Sequence, residues 1–309
     1  LQIVLRRIIQ LIFVLAGICI VTFLLVHMVP GDPARVIAGD RASPETIEAI
    51  RQRFGLDRPL WQQFVTYAGN LFAGDIGQSM RYKRPVVALI GQYIWPTLFL
   101  TGYVICLAVP PSVALAIASA RRPGSLADQL IRCIGIAGMA IPVFWLGIMM
   151  SRFFGVGLGW FPVSGYGKTF ADHLHHLFLP ALSTAIWMVP VLVQSLRAAL
   201  IEKAAADFVV AARAQGAGER EIFWRTVLPN AMLPTLNLFG VLVAFLIGGT
   251  IIVETVYAVP GLGTLMVNSL LARDYQVVQG LTLMFAVTTV AVTFVVDLVS
   301  AAIDPRARL

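Results

Sequence analysis

Charged side chains are scarce: Asp, Glu, Lys and Arg make up 13% of the 309 residues, against about a quarter in soluble globular domains. That scarcity excludes an ordinary water-solvated surface. It accompanies 58% apolar residues and a mean hydropathy of +0.83. Cysteine is scarce as well. Cys19, Cys106 and Cys133 are odd in number, widely spaced and set in apolar stretches, which argues against a disulfide framework or a metal knuckle and for apolar filling. The strand-length alternation of an outer-membrane barrel is missing. So are an internal repeat and a low-complexity linker, and with them any sign of a separate soluble catalytic domain. Neither HExxH nor GxSxG occurs, nor a plausible pair of intramembrane catalytic carboxylates, which disfavours a membrane protease or lipid-modifying enzyme.

What the chain has is apolar length. A helix needs about 20 apolar residues to cross the hydrocarbon core, and six stretches provide them, near 8–29, 97–119, 133–154, 177–196, 234–256 and 280–302. They predict an all-α integral membrane protein with six transmembrane helices. The first follows Arg6 and Arg7 as a signal peptide would, but it is too long and lacks a small-residue cleavage site, so it is expected to stay as an anchor.

A net charge of +7 and a pI near 9.7 would suggest nucleic acid in a soluble protein. Here the basic residues flank apolar spans, where they set orientation, and no nucleic-acid partner is expected. Arg6, Arg7, Arg121, Arg122, Arg132, Arg197, Lys203, Arg213, Arg220, Arg225, Arg306 and Arg308 define the expected cytoplasmic side. With an even number of spans, both termini lie there. Segment 30–95 then falls outside; it is basic too, but long loops cross largely regardless of charge. Within it Ser43, Pro44 and Glu45 resemble a helix start. Ile47, Ile50, Phe54, Trp61, Phe64 and Tyr67 are spaced for short amphipathic helices on the membrane face.

The most informative stretch is 207–234, DFVVAARAQGAGEREIFWRTVLPNAMLP, a polar connection between the fourth and fifth spans. The Ala-rich run 204–214 favours helix, Gly216 and Gly218 permit a sharp break, and 219–226 can form a second short helix before Pro229. Small residues on the first arm allow close backbone approach. On the second, Ile222, Phe223 and Trp224 are expected to project apolar surface among Glu219, Arg220, Glu221 and Arg225, which suits insertion into a partner's groove. The alternative is a basic connector that only fixes topology.

These residues resemble the EAA loop of bacterial ABC importer permeases: Glu-Ala-Ala, three residues, Gly, nine residues, then a hydrophobic residue one position before Leu-Pro. Ala211, Ala212, Gly216, Leu228 and Pro229 stand at matching positions, while Val210 replaces the Glu and Thr226 the usual aliphatic residue. Further stretches resemble the dipeptide, oligopeptide, nickel and glutathione branch. They are HMVPGDPA at 27–34, FGLDRPLWQQF at 54–64, GDIGQS at 74–79, IPVFWLG at 141–147, LGWFPVSG at 158–165, VETVYAVPGLG at 253–263 and AAIDPRAR at 301–308.

The resemblance implies a type I importer fold in the cytoplasmic (inner) membrane and no enzyme activity in this chain. Its implied partners are a second homologous permease, two ABC ATPase subunits that carry ATP and Mg, and an external solute-binding protein. It implies a coupling loop formed by Ala211, Ala212, Gly216, Ala217, Gly218, Glu219, Ile222, Phe223, Trp224, Leu228 and Pro229. The expected division is 1–92 as anchor helix and external amphipathic segment, and 93–303 as a five-helix core with the loop at 204–233. Di- or oligopeptides are the expected solutes; nickel, glutathione or an independent secondary carrier are the alternatives.

Other residues carry two readings each. Pro110, Pro111, Pro142 and Pro190 interrupt spans and either loosen a translocation path or simply kink helices. Asp297 lies in the last span, as a functional intramembrane charge or as a group close enough to the inner face to reach water or Arg306. Arg152 and Glu254 are expected to snorkel or pair at the interface rather than form a gate or a binding-protein contact. His173, His175 and His176 beside Asp172 read as interfacial rather than metal-binding. Gly167, Lys168 and Thr169 imitate the end of a phosphate-binding loop, but Pro162 stands where its first Gly belongs. No cofactor or metal is expected in this chain.

Overall fold

The computed structural model describes residues 12–14, 16–24, 34, 42–53 and 55–303. In chain order the helices are α1 (Pro44–Arg53), α2 (Leu60–Phe72), α3 (Val86–Arg121), α4 (Leu126–Ala140), α5 (Val143–Met150, extended by the π-helical turns Ser151–Gly157) and α6 (Phe170–Ala204). There follow α7 (Asp207–Ala214), α8 (Glu219–Ile222), the π-helical turn Phe223–Val227, α9 (Leu228–Val256), α10 (Leu262–Leu271) and α11 (Tyr275–Ile303). No strand occurs among the described residues; one isolated bridge joins Gln78 and Pro85.

Four of these helices are long and apolar enough to cross a bilayer: α3, α6, the continuous α8–α9 and α11. Among the described residues a fifth crossing is available only if α4 and α5 count as one broken span, because they meet at 93°. The sequence predicts one straight span over 133–154. Proline disfavours the helical region for its predecessor, and ahead of Pro142 Ile141 adopts φ −85°, ψ 123°. Pro96, Pro110 and Pro111 sit inside α3, and Pro180 and Pro190 inside α6, without ending either helix. Of the predicted first span, 8–11, 15 and 25–29 lie outside the described residues, while 12–14 and 16–24 are helical.

Contacts divide the chain into two compact units, Leu1–Trp95 with Gly261–Val290, and Pro96–Pro260 with Ala291–Leu309. The first has a core of Val86, Leu89, Leu262, Leu265, Val277 and Leu281. Its segment after α2 is fixed by the buried Asp274: the Ser79 hydroxyl and the Arg81 backbone N–H both donate to Oδ2. The amphipathic helices expected outside the spans are present as α1 and α2. Ser43 caps α1 by accepting from Thr46 N, and on α2 Phe64 and Tyr67 pack against Phe23.

In the second unit α6 is central and packs against α4, α5 and α9. Between apolar helices in lipid there is no hydrophobic drive to associate, so close packing and hydrogen bonds hold them. Gly240 on α9 shows how close: a Cβ there would fall 2.5 Å from Val296 of α11. Leu100, Val104 and Ala108, four residues apart on α3, share a core with Leu177, Met188 and Leu192 of α6 and Leu246 and Val253 of α9.

Candidate functional site

The 207–229 segment is a helix, a tight turn and a second helix. Helix α7 ends in a Schellman motif, with Gly216 N donating to Arg213 O at 2.9 Å and Ala217 N to Ala212 O at 3.2 Å. That motif places Gly216 at φ +86°, a region side-chain-bearing residues avoid. Gly218 then serves as N-cap of α8. Across the turn Arg213 grips Glu219 bidentately, Nε to Oε1 at 2.6 Å and Nη2 to Oε2 at 3.0 Å. The neighbouring carboxylate raises Arg213 above its usual pKa.

The second arm departs from expectation. It does not end before Pro229: α8 runs through the π-helical turn into α9 as one helix, Glu219–Val256. Pro229 has no N–H for the carbonyl four residues back. The turn absorbs this by shifting to wider bonding, with Leu228 N donating to Phe223 O, five residues earlier.

The loop rests on the ends of α3 and α6. Val209, Ile222, Val227 and Leu228 are buried with Ala116, Val193, Leu196, Ala199 and Leu200, and Ala212, Ala217 and Phe223 pack against them. Ile222 is therefore a core residue at 2% exposure, not a projecting one. Phe223 is half-buried with the Arg121 guanidinium 6.0 Å from its ring centre. Only Trp224 projects, 49% exposed. Ala211, Gly216, Gly218 and Glu219 are also exposed, and Pro229 is half-buried. Phe208, and Val210 at the position of the missing Glu, add exposed apolar surface on α7. Their spacing from the buried Val209 was the available signal: one residue either side turns away from the core.

Beneath the loop lies a polar knot between α3, α4 and α6. Arg197 donates from Nε to Asp128 Oδ1 at 2.7 Å and from Nη2 to Oδ2 at 2.8 Å. Ser119 Oγ and Gly124 N also donate to this carboxylate, which is fully buried. From sequence alone Arg197 and Arg132 stand only as orientation charges. Ser125 followed by Asp128, a helix-start pattern, is the cue that a carboxylate begins α4 there.

Elsewhere the candidates resolve. Glu254 does not snorkel: it is fully buried, and Thr97 and Thr250 donate to its Oε1 at 2.7 and 3.2 Å. Arg152 is exposed and Asp297 half-buried; Arg306 lies outside the described residues. The three histidines separate onto different carbonyls, His173 Nδ1 on Tyr166 O, His175 Nε2 on Trp160 O and His176 Nδ1 on Asp172 O. Among the described residues no group of three or more His, Cys, Asp or Glu could hold a metal. At the phosphate-loop look-alike, the Lys168 and Thr169 N–H groups both donate to Asp172 Oδ2. The apparent anion cradle is a helix cap.

The family model for the binding-protein-dependent transport system inner membrane component matches residues 112–309, and that for its N-terminal part matches residues 1–89. The glutathione transport system permease protein GsiC of Escherichia coli K12 is 39% identical over 305 residues, 99% of this chain and 98% of its own. That of Shigella boydii serotype 4 is 38% identical over the same span. Among solved structures, the MetNI methionine ABC transporter in an inward-facing crystal form shares the fold, with a TM-score of 0.57 at 19% identity. That comparison covers 71% of this chain and 97% of the other.

Proposed function

The chain belongs to the family of binding-protein-dependent transport system inner membrane components, and we propose that it forms half of a translocation pathway for small peptides, glutathione among them. It is the permease subunit of an ABC importer, a multi-pass protein of the inner membrane. In our reading a second homologous permease completes the pathway, two ABC ATPases hold ATP and Mg, and an external solute-binding protein delivers the solute. We propose six spans with both termini cytoplasmic, 1–92 as anchor and external segment and 93–303 as the core.

The observation that carries the coupling role is the loop's construction. Trp224 is exposed on an arm continuous with a spanning helix, while Ile222 beside it is locked into the core. A partner ATPase that grips Trp224, Val210 and the Gly216 turn can therefore tilt α9 without first deforming a hinge. Closing the ATPases shifts the relative stability of two packings of the permease pair, a coupling free energy between distant sites. The full-length likeness to glutathione permeases favours glutathione, itself a tripeptide, over nickel as the solute.

The test is uptake into liposomes carrying this chain with its permease partner and ATPases, supplied with binding protein and labelled dipeptide, longer peptide, glutathione or nickel. ATP-dependent accumulation of glutathione or a dipeptide supports the reading. Nickel uptake alone would reassign the solute, and uptake indifferent to ATP would sink the coupling scheme.

A further inference from the structure

We infer that a groove on the second unit binds an anionic phospholipid, with an acyl chain along the groove and the phosphate against Arg132. The groove is a cavity of about 530 Å3 bounded by α3, α4 and α6. Its lining changes from apolar to polar in the same sense along α4 and α6, while α3 supplies only Leu107, Pro111 and Leu115. At one end lie Leu107, Ile141 and Leu182; at the other, toward the Ser119–Asp128–Arg197 knot, lie Arg132, Gln194 and Arg197. An apolar trough ending in cationic and amide donors matches the two halves of a phospholipid. It does not match a peptide, whose backbone groups would lose their hydrogen bonds along the apolar length.

The charge at the polar end is unbalanced in a way that points to a phosphate. Asp128 faces two guanidinium groups, and its oxygens are already engaged by Arg197, Ser119 and Gly124. Arg132 comes no nearer to it than 3.9 Å, with its side chain 49% exposed. Among the described residues its guanidinium makes no hydrogen bond, only this long ion pair. Two guanidinium groups on one carboxylate leave an excess of one positive charge at the mouth of an apolar trough, and basic pockets between membrane helices on the cytoplasmic side capture anionic headgroups. The outer wall belongs to α4, whose Leu126, Leu130 and Ile134 are 79%, 60% and 69% exposed. In a bilayer the neighbour of such a wall is hydrocarbon, and an unfilled trough forfeits dispersion contacts that a chain supplies.

Native mass spectrometry of the chain, purified with the subunits it assembles with and titrated with phosphatidylglycerol or phosphatidylcholine, tests this. We expect phosphatidylglycerol to be retained about fivefold better, with Arg132→Gln bringing the two lipids to parity. Ala137→Trp, at an exposed position on the groove wall, is expected to lower retention of both while leaving assembly intact. Equal retention of the two lipids by the unsubstituted protein, or an unchanged preference in Arg132→Gln, overturns the inference. So does photo-crosslinking from position 137 to the second permease in place of lipid, which would assign the groove to that subunit.

Discussion

Gly216 has φ +86°, and a Cβ built on it meets nothing within 4 Å. Its demand is thus conformational rather than steric within this chain, and substitutions can separate the two. Forcing an ordinary L-residue into the left-handed region costs about 1–2 kcal/mol, whereas Asn enters it more readily. We expect Gly216→Asn to keep the turn and most ATP-coupled uptake, and Gly216→Val to lose at least tenfold in uptake with the spans intact by circular dichroism. Equal losses would mean that a partner's backbone needs the empty space above the glycine. The Asp128 knot makes a different prediction, because a neutral residue there leaves Arg197 and Arg132 facing each other without a counter-charge. Asp128→Asn should lower the thermal midpoint in detergent, and adding Arg197→Gln should recover part of the loss. A double variant no more stable than the single one would show that Asp128 acts mainly through Ser119 and Gly124.

At the scale of elements, the π-helical turn Phe223–Val227 sets which way the loop faces. One residue more per turn rotates everything before it by about 100° relative to a regular helix. Pro229→Ala restores an N–H and permits regular α-helix through 223–229. Expected are an unchanged or higher melting temperature and a sharp fall in binding-protein-stimulated ATP hydrolysis, as Trp224 swings from its present direction. Undiminished stimulation would show that the turn is incidental. This element was hidden from sequence reasoning, since a proline after a polar loop reads as a stop. The membrane helices over 97–119, 177–196, 234–256 and 280–302 were legible because hydropathy over some 20 residues is a strong signal, but their polar extensions were not. Nor could the sequence distinguish Pro142, which marks a 93° bend, from Pro110 and Pro190, which sit inside unbroken helices. In helices packed among others the freed carbonyl is recoverable, so local composition does not decide. Glu254 was misjudged for a related reason: its Thr97 partner lies 157 residues away.

At the scale of the whole molecule, the chain carries no ATPase site of its own in our reading, so its work depends on one surface meeting a partner. That surface and the core beneath it share a seven-residue stretch of helix, which allows them to be tested apart. Trp224 is an exposed aromatic two residues from the buried Ile222, and truncating an aromatic anchor at an interface costs about 2 kcal/mol or more at a hot spot. Trp224→Ala should weaken ATPase assembly by about 30-fold, measured by titrating purified ATPase onto the reconstituted permease pair, while leaving the permease's own thermal midpoint unchanged. Ile222→Ala should do the reverse in first instance. It opens a cavity between α3, α6 and α8, lowers the midpoint by removing about 2–5 kcal/mol of packing, and weakens assembly only in proportion to the fraction unfolded. If both variants lost stability equally, Trp224 would be packing against its own chain rather than a partner. If neither affected ATPase binding, the contact would have to lie elsewhere on the loop, with Phe208 and Val210 as the exposed large apolar residues of α7.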